Sequence, residues 1–359
     1  MSALLTVENL SKTYVSGSHF FTKKKSARVV SDVSFSLARG DVFALVGESG
    51  SGKTTIGRML LRLIEPDAGR ITFDGIDVRA LDPAALRHLR RRIQIIFQDP
   101  FGSLDPRVRI GTAIAEPITL HGLRQPGDVS QRVAELLALV GLDSSHATRY
   151  PHEFSGGQRQ RIAIARALAV EPDLIVCDEP LSALDLSIQA QVVNLLGELR
   201  TTLGVSYVFI SHDMAVVRHI ATHLGVLYAG KLVETGPAET VFADPRHPYT
   251  RMLLAATPSP VPGSLRNRDT IIGEPPSPFV EWSQCRFASR CPHRVEACLA
   301  GDPPLVSAAP IPRMSACLRA GELPPFAAFD DGEERMTAVY RTRLDLLRRA
   351  RALGTDAVG

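Results

Sequence analysis

The feature that most limits the fold is a short apolar strand that runs directly into a glycine-rich loop. Residues 42–46 read Val-Phe-Ala-Leu-Val, and residues 47–54, the phosphate loop, read Gly-Glu-Ser-Gly-Ser-Gly-Lys-Thr. The loop matches the pattern G-x-x-x-x-G-K-[ST], and a helix-like run from Ile56 to Ile64 follows it, as the pattern requires. Glycines let the backbone N–H groups converge on phosphate oxygens, and the helix N-terminus adds partial positive charge. We therefore predict that the loop binds the phosphates of a nucleotide.

Single residues of the loop and of a later strand predict the chemistry of this site. Lys53 is expected to reach the β- and γ-phosphates and Thr54 to ligate Mg²⁺. The strand 174–177 delivers Asp178, expected to hold Mg²⁺, and Glu179, expected to polarise the water that attacks the γ-phosphate. A carboxylate pair after a strand is often only a surface turn, but the upstream phosphate loop favours the catalytic interpretation.

Two further polar residues follow neighbouring strands. Gln98 comes after the strand 93–97 and is expected to ligate Mg²⁺ and the attacking water. His212 follows the strand 205–210 and is expected to contact the γ-phosphate. An isolated histidine is more often structural, but ligands of open α/β sheets bind at the carboxyl ends of the strands. We predict that Glu179 and His212 are the catalytic residues of an ATPase.

The order of apolar runs predicts the fold class. From about residue 4 to 228, short β-branched runs alternate with amphipathic segments, which indicates an α/β fold with a largely parallel sheet. Residues 99–166 turn helical and form an expected insertion. Prolines are dense after residue 245, so we expect no regular helix there but an extended, loop-rich appendage. The predicted domains are residues 1–245 and a C-terminal extension, residues 246–359.

A second candidate anion site lies at Ser155-Gly156-Gly157-Gln158, where a polar turn opens the helix 162–170. One nucleotide does not need two separate phosphate cradles from the same chain. We expect the second cradle to close on a nucleotide held by another subunit, in a head-to-tail dimer.

Composition excludes several classes. A chain of 359 residues with a formal charge of +3 does not have the charge of a dedicated nucleic-acid binder. Its basic clusters, at residues 23–25, 90–92 and 348–349, are typical of solvated faces. The start lacks an export signal, and no run reaches about 18 apolar residues, so we expect neither export nor a membrane span.

Together these residues resemble the ATPase subunits of ATP-binding cassette (ABC) transporters over about residues 4 to 245. The resemblance makes 47–54 the Walker A motif, 155–158 the signature of the partner site, and Ser182-Ala183-Leu184-Asp185 the D-loop, with Ser182 and Asp185 as its functional residues. It implies a P-loop NTPase core of the ABC type with an antiparallel β subdomain, a helical subdomain and a loop-rich C-terminal extension. It implies binding of ATP by Tyr14, stacked on adenine, and by Gly47, Ser49, Gly50, Ser51, Gly52, Lys53, Thr54, Thr55 and Gln98, with Mg²⁺ held through Thr54, Gln98 and Asp178.

Finer motifs are similar to the ATPases of oligopeptide/dipeptide (and nickel) importers. These are residues 98–107, His247-Pro248-Tyr249-Thr250 and Gly273-Glu274-Pro275-Pro276. The segment 17–25 is similar to an insertion in one of that family's two non-identical ATPase subunits, which favours a heterodimer over a homodimer. The resemblance implies two transmembrane permeases docked on the helical insertion, an extracytoplasmic solute-binding protein, no nucleic acid, and a peripheral location on the cytoplasmic face of the inner membrane.

Four of the five cysteines lie late in the chain, at Cys285, Cys291, Cys298 and Cys317. Four thiols in a proline-rich segment with little core suit a tetrahedral zinc or an iron–sulfur cluster, and the lack of C-x-x-C spacing weakens the zinc interpretation. Unliganded or disulfide-paired thiols stay open as alternatives, and His293 is close enough to compete as a ligand, although a surface role is favoured for it. Importers of the resembled family include members with a [4Fe–4S] site here, and the resemblance favours that cofactor. Cys177 is expected to be a small buried hydrophobe.

The resulting hypothesis is an ATP-hydrolysing subunit of an importer, with di- or oligopeptides as the expected solute. Nickel or another solute is the alternative within the family. A soluble ABC ATPase acting on nucleic acid or ribosomes usually has two cassettes or a long coiled coil, and this sequence has neither. A non-hydrolysing regulatory subunit would be expected to lack Glu179 or His212, and both are present.

Overall fold

The computed structural model describes residues 3–16, 25–99, 102, 104–257, 273–274, 276–277, 279, 282–308 and 312–326. The predicted insertion apart from Lys25, the pairs 23–24 and 348–349, Pro275, and positions 100, 101 and 103 of the motif after Gln98 lie outside these residues. The strands are β1 (Leu5–Ser16), β2 (Lys25–Leu37), β3 (Val42–Val46), β4 (Ala68–Phe73), β5 (Ile76–Asp77), β6 (Ile93–Ile96), β7 (Leu174–Asp178), β8 (Ser206–Ser211), β9 (His223–Tyr228), β10 (Lys231–Pro237), β11 (Val306–Ser307) and β12 (Met314–Ser315). The α-helices are α1 (Lys53–Leu60), α2 (Pro83–Arg92), α3 (Ile110–Leu120), α4 (Val129–Leu139), α5 (Gly156–Leu168), α6 (Leu186–Leu203), α7 (Met214–Ile220), α8 (Ala238–Ala243) and α9 (Pro248–Ala256).

The larger sheet has the strand order β11-β12-β10-β9-β3-β8-β7-β6, and its five strands from β9 to β6 are parallel. Its central strands are buried on both faces, and the two faces alternate along β3. Val42, Ala44 and Val46 belong to one hydrophobic core, and Phe43 and Leu45 belong to the other. This alternation is the two-residue period of a strand covered on both sides. The parallel α/β prediction is confirmed.

A second sheet, with the order β2-β1-β4-β5, is antiparallel. It covers one face of the larger sheet through the core that contains Val33, Phe35 and Ile71. Phe35 stacks on Phe43 with ring centroids 4.3 Å apart. This sheet is the antiparallel β subdomain that the resemblance implies.

The helical insertion consists of α3, α4 and α5, which pack against one another. Ile110, Ile114 and Ile118 of α3 are fully buried at the three-to-four spacing expected for one helix face. Leu136 and Leu137 of α4 join the same core. The expected helical insertion is present in the described residues.

The C-terminal extension differs from expectation at its start. Pro248 does not prevent a helix but begins α9, because proline fits the first helical position, and the His247 side chain caps the helix by accepting from Tyr249 N at 3.1 Å. The prediction of no regular helix after residue 245 is therefore wrong for residues 248–256. Further on, β12 pairs with β10, so the extension adds an edge to the larger sheet. Among the described residues, no helix has the length and apolar character needed to cross a membrane.

Candidate nucleotide-binding site

The phosphate loop joins β3 to α1, and its glycines are required by close backbone contacts. Gly47 has φ +153°, and a Cβ there would lie 2.1 Å from the backbone oxygen of Leu227. Gly52 has φ +107°, and a Cβ there would lie 2.5 Å from the backbone oxygen of Val29. A side chain at either position would displace the loop, so the glycine pattern has a steric cause.

Lys53 begins α1 and points back under the loop. Its Nζ donates to the backbone oxygens of Gly47 at 2.8 Å and Glu48 at 2.9 Å and lies 3.8 Å from Oε1 of Glu179. Burial lowers the pKa of the Lys53 ammonium, and the charges of Glu179 and Asp178 act against that shift. The cation is thus held at the loop by carbonyl oxygens, where phosphate oxygens can reach it.

Thr54 and Asp178 meet across the end of the sheet. The Thr54 hydroxyl donates to Oδ1 of Asp178 at 2.8 Å, although the two residues are 124 positions apart. Burial raises the pKa of Asp178, and the Thr54 hydrogen bond opposes this. A hydroxyl and a buried carboxylate oxygen are the donors that Mg²⁺ prefers, so this pair fits the predicted magnesium site.

Glu179 lies at the centre of the predicted catalytic residues. Gln98 Nε2 donates to Oε2 of Glu179 at 3.2 Å, and Nδ1 of His212 lies 3.4 Å from the same oxygen. Glu179 has the unusual φ of +47°, and its N–H donates to the backbone oxygen of Ile210 at 3.1 Å, which fixes this conformation. A cavity of about 70 Å³ between Glu179 and His212 is large enough for water.

The remaining loop residues include polar groups that are available to bind a ligand. The Ser51 hydroxyl is buried and has no hydrogen-bond partner among the described residues. Ser49 and Gly50 are exposed at the loop tip, and Thr55 is half-buried in the first turn of α1. A buried donor without a partner beside exposed N–H groups fits a bound phosphate.

Tyr14 lies near the end of β1, paired with Ala27 of β2. Ala27 is two residues from Val29, whose carbonyl lies against Gly52 of the loop. Tyr14 is 40% exposed, and Lys12 Nζ lies 5.7 Å from its ring centroid. The position of the ring is compatible with base stacking.

Ser155 and Gln158 of the second cradle form hydrogen bonds with each other at the N-terminus of α5. Ser155 caps α5, accepting from Gln158 N at 3.3 Å, and the Gln158 side chain accepts from Ser155 N at 3.1 Å. A Cβ on Gly157 would lie 2.4 Å from Cγ2 of Ile188 on α6, so this glycine permits close helix packing. The described hydrogen bonds of Ser155 and Gln158 do not reach the phosphate loop, which leaves the partner-site prediction untested.

The predicted D-loop connects Glu179 to α6. The Ser182 hydroxyl donates to the backbone oxygen of Glu179 at 3.1 Å, and Asp185 occupies the N-cap position of α6. Leu186, the next residue, is 81% exposed. Ser182 is thereby tied to the main chain of Glu179, whereas Asp185 and Leu186 are exposed.

The four late cysteines are free thiols in one neighbourhood. Cys285 N donates to the backbone oxygen of Cys298 at 2.9 Å. Burial raises the pKa of Cys285, Cys291 and Cys317, and the neighbouring thiols raise it further. Even so, no three histidine, cysteine, aspartate or glutamate side chains in the described part of the chain are arranged to hold a metal ion. The thiol chemistry suits a cluster but the arrangement does not, so the structure does not support the iron–sulfur prediction.

Sequence reasoning missed the most closely held residue of the loop, Glu48. It occupies one of the unspecified positions of the loop pattern, so the motif assigns it no role. In the structure, Glu48 bonds to Tyr249 and to Arg290, both from the C-terminal extension. The motif His247-Pro248-Tyr249-Thr250, which carried only a resemblance, supplies one of these contacts.

Comparison with known proteins gives consistent results. Residues 30–182 match the family described as ABC transporter, and residues 233–298 match the oligopeptide/dipeptide transporter C-terminal region. A peptide import ATP-binding protein of Brucella ovis is 50% identical over 316 residues, which cover 88% of this chain and 98% of that protein. A peptide ABC transporter ATP-binding protein of Sinorhizobium fredii is 47% identical, covering 85% of this chain and 86% of that protein.

Solved structures agree with the fold. A dimeric ATP-binding cassette in a post-hydrolysis state with ADP and phosphate has a TM-score of 0.58 at 29% identity and covers 65% of this chain and 98% of its own. The protein cbiO1 of Clostridium perfringens, part of the transporter complex cbiONQ, has a TM-score of 0.59 at 26% identity, covering 68% of this chain and 92% of its own.

Proposed function

Because this chain belongs to the ATP-binding subunits of ABC transporters, in the oligopeptide/dipeptide family, and is an ATPase, we propose that it supplies the energy for peptide import. The observation that carries the proposal is the meeting of Lys53, Gln98 and His212 around Glu179 at the end of the phosphate loop. The named relatives, which are peptide import ATP-binding proteins, support the solute class. Nickel or another solute is the alternative within the family.

The proposed reaction is hydrolysis of ATP to ADP and phosphate. Glu179 orients a water molecule and takes its proton as the water oxygen attacks the γ-phosphorus, and the bond to the β–γ bridging oxygen breaks. Lys53 and the loop N–H groups bind the phosphate oxygens, and His212 contacts the γ-phosphate. Thr54, Asp178 and Gln98 would hold Mg²⁺, which would neutralise phosphate charge when it accompanies the nucleotide.

The proposed dimer explains the second cradle. Ser155, Gly156 and Gly157 would close on a nucleotide held by the phosphate loop of a partner ATPase, with Ser182 and Asp185 at the same junction. ATP then acts as a ligand with higher affinity for the closed dimer, which allows it to move attached proteins. We propose a heterodimer with a second ATPase subunit, two permeases docked at the helical insertion, an extracytoplasmic solute-binding protein, and a peripheral position at the cytoplasmic face of the inner membrane.

The four-cysteine cofactor stays a prediction. The proposal rests on the four cysteines in one segment, because no group of three metal-binding side chains in the described residues is arranged to hold an ion. The test is iron and acid-labile sulfide measured on protein purified without oxygen. About four irons per chain would support the cluster, and iron-free, colourless protein would exclude it.

Two substitutions test the ATPase site in opposite ways. Lys53→Ala should weaken ATP binding by about 10- to 100-fold, because a charge-assisted hydrogen bond contributes about 1.5–3 kcal/mol. Glu179→Gln should keep ATP binding while turnover falls by about 10²- to 10⁴-fold. The exposed Glu198→Gln is the control and should change neither. Labelled-ATP titration measures binding and phosphate release measures turnover. Wild-type turnover in Glu179→Gln would refute the catalytic role of Glu179.

The dimer is tested with the same variant. Glu179→Gln with ATP should form dimers detectable by light scattering when a partner ATPase is supplied, and adding Lys53→Ala should prevent them. Dimers formed by this chain alone would favour a homodimer. No dimer with ATP in either setting would refute the role of the Ser155–Gln158 segment.

A further inference from the structure

We propose that Arg290 of the C-terminal extension is a positioning residue of the phosphate loop and keeps the loop in a form that binds ATP; this rests on the proposed function. Its guanidinium makes two parallel hydrogen bonds to the carboxylate of Glu48, Nη1 to Oε2 and Nη2 to Oε1, both at 2.8 Å. The Arg290 side chain is only 3% exposed. Such bidentate pairs fix geometry as well as charge.

Glu48 connects the C-terminal extension to the rest of the phosphate loop through its backbone hydrogen bonds. Its backbone N–H donates to Tyr249 Oη at 2.8 Å, and its backbone oxygen accepts from Lys53 Nζ at 2.9 Å. The main chain of Glu48 is therefore tied to the lysine expected to bind phosphate. With the carboxylate held by Arg290, the extension controls where this part of the loop lies.

The ion pair also reduces the electrostatic repulsion between Glu48 and a bound nucleotide. A nucleoside triphosphate is strongly anionic, and a carboxylate within the loop that binds it would repel it. Arg290 neutralises Glu48 in a place where little water is available to screen the charge. Loss of Arg290 would leave Glu48 as an unpaired anion beside the phosphates.

Arg290 is itself held in place by aromatic side chains. Nη1 lies 3.3 Å from Tyr228 Oη, and the guanidinium lies 5.7 Å and 5.9 Å from the ring centroids of Tyr228 and Phe287. Phe287 also packs on Tyr249, with centroids 5.5 Å apart. The cation is thus oriented before any nucleotide binds, as positioning requires.

A second buried arginine, Arg286, provides the control that distinguishes positioning of the phosphate loop from anchoring of the C-terminal extension. Arg286, four residues earlier, donates to the backbone oxygen of Ala229 at 2.5 Å, to Ser31 Oγ at 3.3 Å and to Asp302 at 3.2 Å. These contacts attach the same segment to Ser31 of β2 and to Ala229, which follows β9, but do not involve Glu48. If Arg290 only anchored the extension, replacing Arg286 would have the same effect on ATP binding.

The experiment compares Arg290→Met, Glu48→Gln, the double variant and Arg286→Met by KM and kcat for ATP, by labelled-ATP Kd and by thermal unfolding. Arg290→Met should raise the KM and Kd about tenfold or more, with a smaller change in kcat. The double variant should recover only part of this loss, because no unpaired anion remains but the loop is still not held, and both constants should stay at least about threefold above wild type. Arg286→Met should lower the unfolding temperature but leave the KM within about twofold.

Three results would overturn the proposal: an unchanged KM in Arg290→Met, a KM equal to wild type in the double variant, or an equal rise in Arg286→Met. If Arg290→Met does not fold, Arg290→Lys decides, because it keeps the charge but not the two parallel bonds; a KM equal to wild type would then refute positioning. If wild-type protein binds no ATP, the proposed function itself fails. If the wild type binds ATP and Lys53→Ala does not, a negative Arg290 result refutes only this inference.

Discussion

The phosphate loop and the cysteine segment, residues 282–308 and 312–326, lie against each other but are held by different interactions. The loop is set by the strand before it and the helix after it, and its neighbours are backbone atoms of β2 and β9. The described part of the cysteine segment has only one 3₁₀ turn, Glu296–Leu299, and two strands of two residues each. It is attached by arginines, such as Arg286 to Ala229 and Arg313 to Asp244, at 2.5 Å and 2.7 Å.

This difference decides how each region responds to change. A loop enclosed by backbone atoms cannot shift to accept a larger residue, because the sheet would have to move with it. A segment held by long side chains tolerates adjustment, except where one side chain also holds the loop. Arg290 is that exception, since it joins the two regions through Glu48.

The largest expected effect contrasts two glycines of the loop. Gly47→Ala places a Cβ 2.1 Å from the Leu227 backbone oxygen, whereas Gly50→Ala meets no atom within 4 Å. We expect Gly47→Ala to cost roughly 3 kcal/mol or more, which weakens ATP binding at least about 100-fold. Gly50→Ala retains only the strain of φ +78°, about 1 kcal/mol, or roughly fivefold. Labelled-ATP titration measures both, and equal effects would show that sterics do not set the loop.

Much of the nucleotide site could be predicted because its signals are local. The glycine spacing, the apolar strand before Gly47 and the polar residues after β6, β7 and β8 are each short patterns with one structural meaning. Parallel strands then bring Gln98, Glu179 and His212 together at one edge of the sheet. The sequence did not have to specify any long-range contact between them.

The extension could not be predicted in the same way. The pair of Arg290 and Glu48 joins positions 242 residues apart, and no periodicity relates them. The proline-rich start misled the prediction because proline at a first helical position favours a helix, as at Pro248. The cysteine spacing predicts a site chemistry but not whether the thiols converge. These are consequences of tertiary packing that a linear pattern does not contain.

A second prediction concerns the place where β10 meets the start of the C-terminal extension. Glu234 is fully buried, and its carboxylate accepts from the backbone N–H groups of Arg246 at 2.7 Å and His247 at 2.9 Å. Burial raises the pKa of Glu234 from 4.5 to about 7, against the lowering effect of its hydrogen bonds. The folded protein therefore binds a proton here that the unfolded chain has lost above pH 4.5. The stability from this group falls as pH rises from about 4.5 through about 7.

Glu234→Gln removes this titration, so its unfolding free energy relative to wild type should rise by about 3 kcal/mol between pH 4.5 and 8. The absolute value at one pH also contains the cost of placing an amide donor opposite two N–H groups, so only the pH dependence is diagnostic. Burial lowers the pKa of His247 to about 3, which adds the opposite slope at lower pH but does so in both proteins and cancels. Urea unfolding at pH 5, 6, 7 and 8 measures the difference. A difference independent of pH would show that Glu234 is ionised throughout.

The smallest expected effect isolates the second contact of Glu48, in which Tyr249 Oη accepts from the Glu48 backbone N–H at 2.8 Å. Tyr249→Phe removes this acceptor but keeps the ring, so the loss should be about 1 kcal/mol, a three- to tenfold rise in the KM for ATP. Tyr207→Phe is a matched control, because the Tyr207 hydroxyl is buried without a hydrogen-bond partner in the described residues and its removal should leave the KM unchanged.

If Tyr249→Phe raised the KM more than Arg290→Met, the extension would act on the loop through the backbone of Glu48 rather than through its carboxylate. The distinction is physical, since a lost neutral hydrogen bond is insensitive to salt, while repulsion between the Glu48 carboxylate and the phosphates weakens as salt is added. Raising the ionic strength should therefore reduce the Arg290→Met defect and leave the Tyr249→Phe defect as it is.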